Sequence, residues 1–309
     1  MSILHFLTYF SLLVFIALCI ARAVRIATAP VHLRWELYPV PHEKGKAEYG
    51  GSYFEESEWW TKKREKDHLG ELKVMLPEIL LLKGVWEHNR NLWWGSFPLH
   101  FGLYLLIGTI VIFAVNAILI ATGMSFAELS WLSTTGTAIF WTGCGIGLLG
   151  SFILLIKRIF DPALSNFSTP SHYFNIFILG SIYLTGIIWA AADPLFSMNI
   201  VSFYKGIITF SALGEIPTIA YLHIGISVFF IFYLPMTHMT HFFTKYFTYH
   251  NVRWEDEPNM PDSKFRKKLE QQLNYPVSWS APHIGADGRK TWLVIATTNP
   301  WENKDEEEK

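Results

Sequence analysis

The chain has 309 residues, and its composition excludes an ordinary pair of soluble domains. Apolar residues make up 51% of it, aromatic residues 16% and charged residues only 17%, against about 25% charged in a typical globular domain. The 25 Lys and Arg nearly balance the 26 Asp and Glu, which removes any electrostatic case for nucleic-acid binding. Its 2 cysteines are too few for a disulfide framework, a cysteine-ligated zinc site or an iron–sulfur cluster within the chain. A function that needs such a cluster therefore needs a partner protein to carry it.

Five apolar stretches are long enough to cross a bilayer, which takes about 20 helical residues. Backbone embedded in lipid must satisfy its own hydrogen bonds, so each stretch is predicted to be a helix, and no strand is needed in the core. The sequence thus predicts an all-α integral membrane bundle of five transmembrane helices. The predicted spans are 3–21, 97–122, 134–156, 173–192 and 218–243.

The spans divide the chain into four segments. A first transmembrane helix occupies 1–25, a cytoplasmic loop 26–96, a four-helix membrane core 97–243 and a cytoplasmic tail 244–309. A short apolar piece at 200–213, between the fourth and fifth spans, is expected to lie along the membrane surface on the outside.

The basic residues indicate the orientation of the chain. With the N-terminus outside, the segments left inside carry 24 of the 25 Lys and Arg, and only Lys205 lies outside. Cytoplasmic segments of membrane proteins carry such an excess. Arg22 and Arg25 follow the first apolar run and no basic residue precedes it, which favours a retained span over a cleaved signal peptide. We therefore expect a multi-pass protein of the inner (cytoplasmic) membrane with its N-terminus outside.

Histidines inside predicted spans are the candidate functional residues, because polar side chains are costly in lipid. Ser96 can cap the second span and Pro98 suits its first turn, which places His100 near the inner face. His241 lies at the inner end of the fifth span, on the same helical face as His223 and about 27 Å from it. Two imidazoles at one depth on different helices match a six-coordinate haem b. The alternative is that intramembrane histidines only make hydrogen bonds between helices.

Three segments then resemble a known family. Residues 94–102, the connection 157–162 and the run from Leu222 through Pro235 to His241 resemble the gamma subunit of respiratory nitrate reductase. Relatives of that family include the membrane cytochromes b of heterodisulfide reductase and of electron-transfer complexes of sulfate reducers. The resemblance covers roughly 90–245 and leaves the loop and the tail unexplained.

The resemblance implies two haems b stacked across the bilayer, within the 97–243 core. The inner haem would be held by His100 and His241, and the outer one by His223 together with a histidine ten residues after the first ligand. Ile110 stands at that position and cannot coordinate iron. His5, near the outer end of the first span, is at a suitable depth to replace it. Three outcomes stay open: a second haem held by His223 and a residue such as His5, a five-coordinate haem on His223 alone, or no outer haem, with His223 hydrogen-bonded to quinone or to another helix. One or two haems are therefore expected.

Together these features predict a haem b membrane subunit that transfers electrons between membrane quinone or quinol and a cytoplasmic iron–sulfur protein. Menaquinone or another quinone is the expected substrate, and the partner is expected to resemble either the heterodisulfide reductase or the nitrate reductase beta subunit. The loop and the tail, with its extended apolar run Trp292-Leu293-Val294-Ile295, would dock that partner. The chain would then be the quinone-reactive subunit of a multisubunit oxidoreductase, embedded in lipid, and no stand-alone enzyme.

A different class of function stays open. A haem-free membrane anchor, or a transporter subunit whose histidines carry protons or bind a metal, would have the same spans. The middle of the membrane region is mostly Leu, Ile, Phe and Gly, which weighs against a proton path through polar residues at successive depths.

Overall fold

A computed structural model describes most of the chain. The described residues are 2–29, 41–49, 51–63, 65–250 and 259–299. They fall into two units, one formed by 1–20 with 74–240 and the other by 21–73 with 241–309. Parts of the predicted loop and the last ten residues of the predicted tail lie outside the described residues.

The structure confirms the all-α membrane bundle. Helices in the described residues are α1 Ile3–Ala27, α2 His68–Leu80, α3 Lys83–His88, α4 Arg90–Ala121, α5 Ser130–Phe160, α6 Pro162–Ser165, α7 Pro170–Ala192, α8 Phe196–Thr209, α9 Thr218–Tyr233, α10 His241–Thr248, α11 Lys264–Leu273 and α12 Trp292–Thr297. Five helical segments are long and apolar enough to cross a membrane: Ile3–Ala27, Arg90–Ala121, Ser130–Phe160, Pro170–Ala192 and Thr218–Met236. The chain is a multi-pass membrane protein.

Short 3-10 turns and one small sheet complete the described structure. The turns are Ala47–Tyr49, Tyr53–Glu55, Trp59–Thr61, Leu234–Met236, His238–Thr240 and Pro282–Ile284. The strands β1 Ser280–Ala281 and β2 Ala286–Asp287 form an antiparallel pair.

The second span begins earlier than the sequence predicts. α4 starts at Arg90, and the side chain of Asn89 caps it by accepting the backbone N–H of Leu92 at 3.0 Å. Ser96 is therefore not the cap, and Pro98 lies inside the helix. The prediction failed because an aromatic first part of the helix was assigned to the loop, although Asn is as good a cap as Ser.

The fifth span is interrupted, so the prediction that His223 and His241 lie on one continuous helix is wrong. α9 ends at Tyr233, and α10 begins only at His241. Pro235 lacks the N–H that a continuing helix needs and its ring crowds the preceding turn, and Thr237 is extended with φ −109° and ψ 174°. Because the helix is broken between them, counting 3.6 residues per turn from His223 does not give the direction in which His241 projects.

Glycines allow α4, α5 and α7 to pack closely. A Cβ on Gly102 would lie 2.5 Å from the Cα of Gly147, and a Cβ on Gly147 would lie 2.3 Å from the ring of Tyr183. Tyr183 is fully buried and its hydroxyl donates to the carbonyl of Leu99 at 2.9 Å. Close backbone approach of this kind drives helix association in lipid, where apolar area alone gives little.

The helix α8 connects α7 to α9 and packs on α4 and α5. Its buried face includes Phe196, Ile200 and Phe203, spaced at one helical stripe. The ring of Phe196 lies 6.3 Å from Phe113 and 4.8 Å from Phe140. The apolar piece expected along the membrane surface is thus a helix that begins four residues earlier.

The second unit carries several ion pairs on its surface. Glu56 pairs with Lys46 and, at 2.8 Å, with Lys62. Hydrogen bonds from these two ammonium groups lower the pKa of Glu56 to about 2. His250 Nε2 lies 3.1 Å from a carboxylate oxygen of Glu71.

The described part of the tail has a small apolar cluster of its own. Val277, Ala281 and Ala286 are buried, and Ile284 and Ile295 pack against them. The apolar run that begins at Trp292 forms the helix α12 and not an extended segment, because Thr291 caps it by accepting the N–H of Val294.

The glycine contacts predict a sharp difference between two substitutions in one helix. Gly102→Ala places its Cβ against the backbone of α5 and should destabilise the protein by roughly 1–3 kcal/mol. Gly108→Ala is the matched control, because nothing lies within 4 Å of its Cβ and the better helix propensity of Ala is worth up to about 1 kcal/mol. Thermal unfolding in detergent micelles measures both. Equal thermal midpoints for the Gly102→Ala and Gly108→Ala variants would contradict the close contact between Gly102 and α5.

Candidate functional site

His100 carries its proton on the nitrogen that faces its own helix. Its Nδ1 lies 2.7 Å from the carbonyl oxygen of Ser96. A carbonyl only accepts, so Nδ1–H is the donor and the lone pair of the neutral ring is on Nε2. Histidines that bind metals are commonly oriented by such a second hydrogen bond.

His100 projects away from the glycine contact with α5. At 100° per residue, it lies about 160° around α4 from Gly102. Trp93, Phe97 and Tyr104 share its side of the helix, and the rings of Trp93 and Phe97 stack at 4.5 Å and 6°. His100 is half-buried on this aromatic face.

His241 is the first residue of α10 and is exposed. It belongs to the second unit, whereas His100 belongs to the first. The pairing of these two histidines on one haem stays a prediction.

His223 is buried on α9 and holds a defined tautomer. Its Nδ1 lies 3.1 Å from the hydroxyl oxygen of Thr185, and that hydroxyl lies 2.7 Å from the carbonyl of Ser181, to which it donates. Since the hydroxyl has one proton, its oxygen accepts from Nδ1–H of His223. The lone pair of His223 is then on Nε2, as it is in His100.

The ring of His223 is enclosed by α5 and α7. The Trp189 ring lies 5.6 Å away and the Phe140 ring 6.0 Å away, edge-on. A Cβ on Gly186 would lie 3.1 Å from its Cε1, so only glycine leaves this approach open.

Asp193, which sequence reasoning missed, fixes the tryptophan beside His223. One carboxylate oxygen accepts from Trp189 Nε1 at 2.9 Å and from Asn199 Nδ2 at 2.8 Å, and the other accepts the Leu195 N–H at 2.9 Å. Burial acts to raise the pKa of Asp193, but the hydrogen bonds from Asn199, Trp189 and Leu195 outweigh it and lower the pKa. The signal in the sequence was an acidic residue four positions after a tryptophan at the end of a span.

His5 is fully buried on α1 and its ring nitrogens are orphaned. Neither nitrogen has a hydrogen-bond partner among the described residues, although the backbone of Phe203 is close. The rings of His5 and Phe203 are 5.2 Å apart, and a Cβ on Gly206 would lie 2.5 Å from the His5 ring. Leaving a buried polar group unsatisfied costs about 1–3 kcal/mol, which is consistent with a site whose ligand is a bound group.

The contacts of His5 and His223 lie toward opposite ends of α8. His5 contacts Phe203 and Gly206, whereas Phe196 contacts the neighbours of His223. Ten residues of helix separate these ends, or about 15 Å, and the structure shows no contact that the two rings share.

The residues present fit haem ligation in part. His100 and His223 each present Nε2 with Nδ1 oriented by a helix, and His5 is an orphaned imidazole. Ile110 is 47% exposed on the surface of α4 and offers no ligand. The described residues contain no group of three or more His, Cys, Asp or Glu placed to hold a metal ion by themselves, whereas a haem iron needs only axial ligands from the protein.

The family described as nitrate reductase gamma subunit matches residues 86–255, more than half of the chain. The chain belongs to the nitrate reductase gamma subunit family. This family comprises membrane cytochrome b subunits of an oxidoreductase complex, which gives the chain the role of a membrane redox subunit. His100, His223 and His241 lie within the matched range, and His5 lies outside it. Searches of curated proteins and of solved structures found no match.

The Asp193 hydrogen bonds predict a pH-dependent loss of stability. Asp193→Asn replaces one acceptor oxygen by an amide, so a buried donor loses its partner, and the expected cost is about 1–3 kcal/mol. Because folding lowers the pKa of Asp193, its contribution is present above its usual pKa of 3.8 and is lost as the pH falls through the folded value. The variant should therefore differ from the wild type at pH 7 and approach it in acid.

Glu128→Gln is the control for this substitution. Glu128 also accepts two hydrogen bonds, both from Ser125, but it is exposed, so its loss should cost less. Thermal unfolding between pH 3 and pH 7 measures both variants. A D193N protein that is as stable as the wild type at pH 7 would reject the structural role of Asp193.

Proposed function

We propose that the chain is a haem b subunit of a respiratory complex in the inner membrane, oriented with its N-terminus outside. It transfers electrons between a membrane quinone, such as menaquinone, and a cytoplasmic iron–sulfur protein. The observation that carries the proposal is His100, whose Nδ1 is bonded to Ser96 so that Nε2 can bind iron, within a family of membrane cytochromes b.

An inner haem is held, in this proposal, by His100 and His241. The haem iron supplies the one-electron chemistry when it is bound. The chain supplies the imidazoles, and the carbonyl of Ser96 fixes the tautomer of one of them. The stacked rings of Trp93, Phe97 and Phe101 line the aromatic side of α4 and exclude water there.

An outer haem uses His223, with its ring oriented by Thr185. His5 would be the second histidine that holds this group, because neither of its buried nitrogens has a hydrogen-bond partner among the described residues. His5 contacts Phe203 and Gly206, whereas Phe196 contacts the neighbours of His223, so the two imidazoles would have to approach each other to hold one haem. His223 alone would give a five-coordinate haem, and without an outer haem it would only bond to quinone or to another helix.

The iron–sulfur partner, either heterodisulfide-reductase-like or nitrate-reductase-beta-like, docks on the loop and tail. The tail supports this with an exposed apolar surface, since Trp279 is 47% exposed, Trp292 42% and Leu293 44%. Aromatic residues are enriched at protein interfaces and often dominate binding. The chain has only 2 cysteines, too few to hold an iron–sulfur cluster, which supports a partner protein that carries the clusters.

A proton-handling or metal-handling subunit without haem is the second candidate, favoured by one observation. Asn175 is buried in α7, accepts from the Tyr233 hydroxyl at 2.9 Å and lies 3.5 Å from His238 Nε2. The rings of His238 and His172 are 4.9 Å apart. Such a polar network beside the break in the fifth span could carry protons.

An absorption spectrum of the purified chain tests the inner haem. His100→Ala and His241→Ala should each abolish one low-spin haem b signal, because an axial ligand is lost. His172→Ala is the control, since it removes a histidine that is not a proposed ligand. Retention of the full signal in both ligand variants would reject the assignment, and a wild type without haem would favour the second candidate.

Haem content and redox titration test the outer site. The proposal expects about two haems per chain, one of which is altered by His223→Ala. His5→Met should keep that haem low-spin and raise its midpoint potential, because a thioether can replace imidazole as a ligand. Thr8→Val is the control on α1, since Thr8 is buried but bonds only to its own helix. One haem per fully loaded chain would contradict the outer site, and an unchanged potential in H5M would exclude His5.

A further inference from the structure

The segment between α2 and α4 forms a helical hairpin beside the start of the second span. α2 ends at Leu80, the chain reverses at Leu82 with φ +52°, and α3 follows from Lys83 to His88. The reversal is stabilised by Glu78, whose carboxylate accepts the N–H of Gly84 at 2.8 Å. This hairpin comprises residues 74–89, all of which belong to the first unit.

Two side chains of α4 bind the carbonyl groups at the end of α2. The Tyr104 hydroxyl donates to the carbonyl of Ile79 at 2.6 Å, and Trp93 Nε1 donates to the carbonyl of Leu81 at 2.8 Å. The last carbonyls of a helix have no partner within the helix, and in water the solvent satisfies them. Here two of them are satisfied by residues of a transmembrane helix, as a segment in a water-poor layer requires.

These bonds set the depth of the hairpin. Counting about 20 residues back from Ala121, the end of α4, places the edge of the hydrocarbon core near Gly102. Tyr104 lies just inside that edge, and Trp93 lies about 13 Å before it, on the aqueous side. The end of α2 is therefore held between these two depths, at the interface between membrane and water.

The free side of the hairpin is apolar and continuous with the lipid-facing surface of α4. Leu76 is 47% exposed, Leu80 47% and Leu81 55%, and Trp94 of α4 is 60% exposed. Arg90 lies 4.6 Å from the Trp86 ring, so a basic group and an aromatic ring lie side by side at the start of α4, a combination that is common at membrane interfaces.

We propose that membrane lipid covers this surface, and that the hairpin is an interfacial anchor embedded in the leaflet that holds the start of α4. The hairpin contributes apolar area to the interface, while the long side chain of Arg90 extends toward the headgroups. Lys83 lies 3.6 Å from the Glu87 carboxylate of the same hairpin. The hairpin lies on the side of α4 that carries His100. The proposal does not depend on haem binding.

Cysteine accessibility of the full chain in phosphatidylethanolamine–phosphatidylglycerol vesicles tests the anchor. In a Cys19→Ser, Cys144→Ala background, single cysteines replace Leu76 and Leu80. A charged, water-soluble maleimide should label them at least about tenfold more slowly than Ser57→Cys, an exposed loop position, because lipid excludes the reagent. Ile107→Cys, 58% exposed on α4, gives the rate expected for full lipid coverage.

Labelling at the Ser57 rate would overturn the proposal. So would protection that arises only after an iron–sulfur partner is added, because protein and not lipid would then cover the hairpin. If the cysteine-free background does not fold, hydroxyl-radical footprinting of the unmodified chain in the same vesicles gives the comparison, with Leu76, Leu80 and Trp86 expected to be modified less than exposed Trp60.

A further variant tests the bonds that hold the hairpin. Tyr104→Phe removes the donor to Ile79 but keeps the ring, and should raise labelling at Leu80→Cys severalfold. Tyr221→Phe, exposed on α9, should leave labelling unchanged. Equal labelling in the two variants would show that the bond does not position the hairpin.

Discussion

Hydrocarbon offers no hydrogen-bond partner, and most features of this chain follow from that constraint. The spans are helices because their backbone groups must pair internally. The same demand reaches the side chains: Asn116 on α4 donates to the hydroxyl of Ser133 on α5 at 2.7 Å, and Tyr183 donates to the carbonyl of Leu99. Polar side chains of this bundle thus pair either between helices, as here, or with a carbonyl of their own helix, as Thr109 and Ser151 do. A buried imidazole with neither kind of partner stands out.

That contrast separates the histidines of the first unit. In His100 and His223, Nδ1–H donates a hydrogen bond to an oxygen of a helix, so the lone pair of the neutral ring is on Nε2. His5 has neither nitrogen satisfied. A hydrogen-bonded histidine is explained by packing alone, and only its tautomer favours ligation. Burying the imidazole of His5 without a hydrogen-bond partner destabilises the protein unless a further group binds it.

Hydropathy predicted the spans because about 20 apolar residues leave few alternatives in a bilayer. The ends of the helices were harder to predict. Asn89 begins α4 two turns before the apolar run, within an aromatic stretch that also suits a loop, and Pro235 ends α9 where hydropathy continues. The second error affected the predicted site, since the expectation that His223 and His241 lie on one helical face assumed an unbroken helix.

Contacts between distant parts of the chain could not be predicted from the sequence, for a different reason. Nothing local to Asp193 shows that its carboxylate binds Trp189 or that this ring lies beside His223, because the contact depends on how α7, α8 and α9 pack. The burial of His5 against α8 has the same origin. Residue type indicates what a side chain can do, and helix packing decides whether it is used.

The family match and the structure constrain different parts of the molecule. The match begins at residue 86, so it covers α4 and the later spans but neither His5 nor α2. Yet α2 is tied to α4 by two hydrogen bonds, and α1 is tied to α8 by the Tyr9 hydroxyl, which donates to the carbonyl of Ile207. The unmatched N-terminal elements therefore contact the matched core at two places, α2 on the side of α4 that carries His100 and α1 on α8. Differences between this chain and its family are to be sought at those two contacts, because the core between them is fixed by glycines whose Cβ positions are occupied by neighbouring helices.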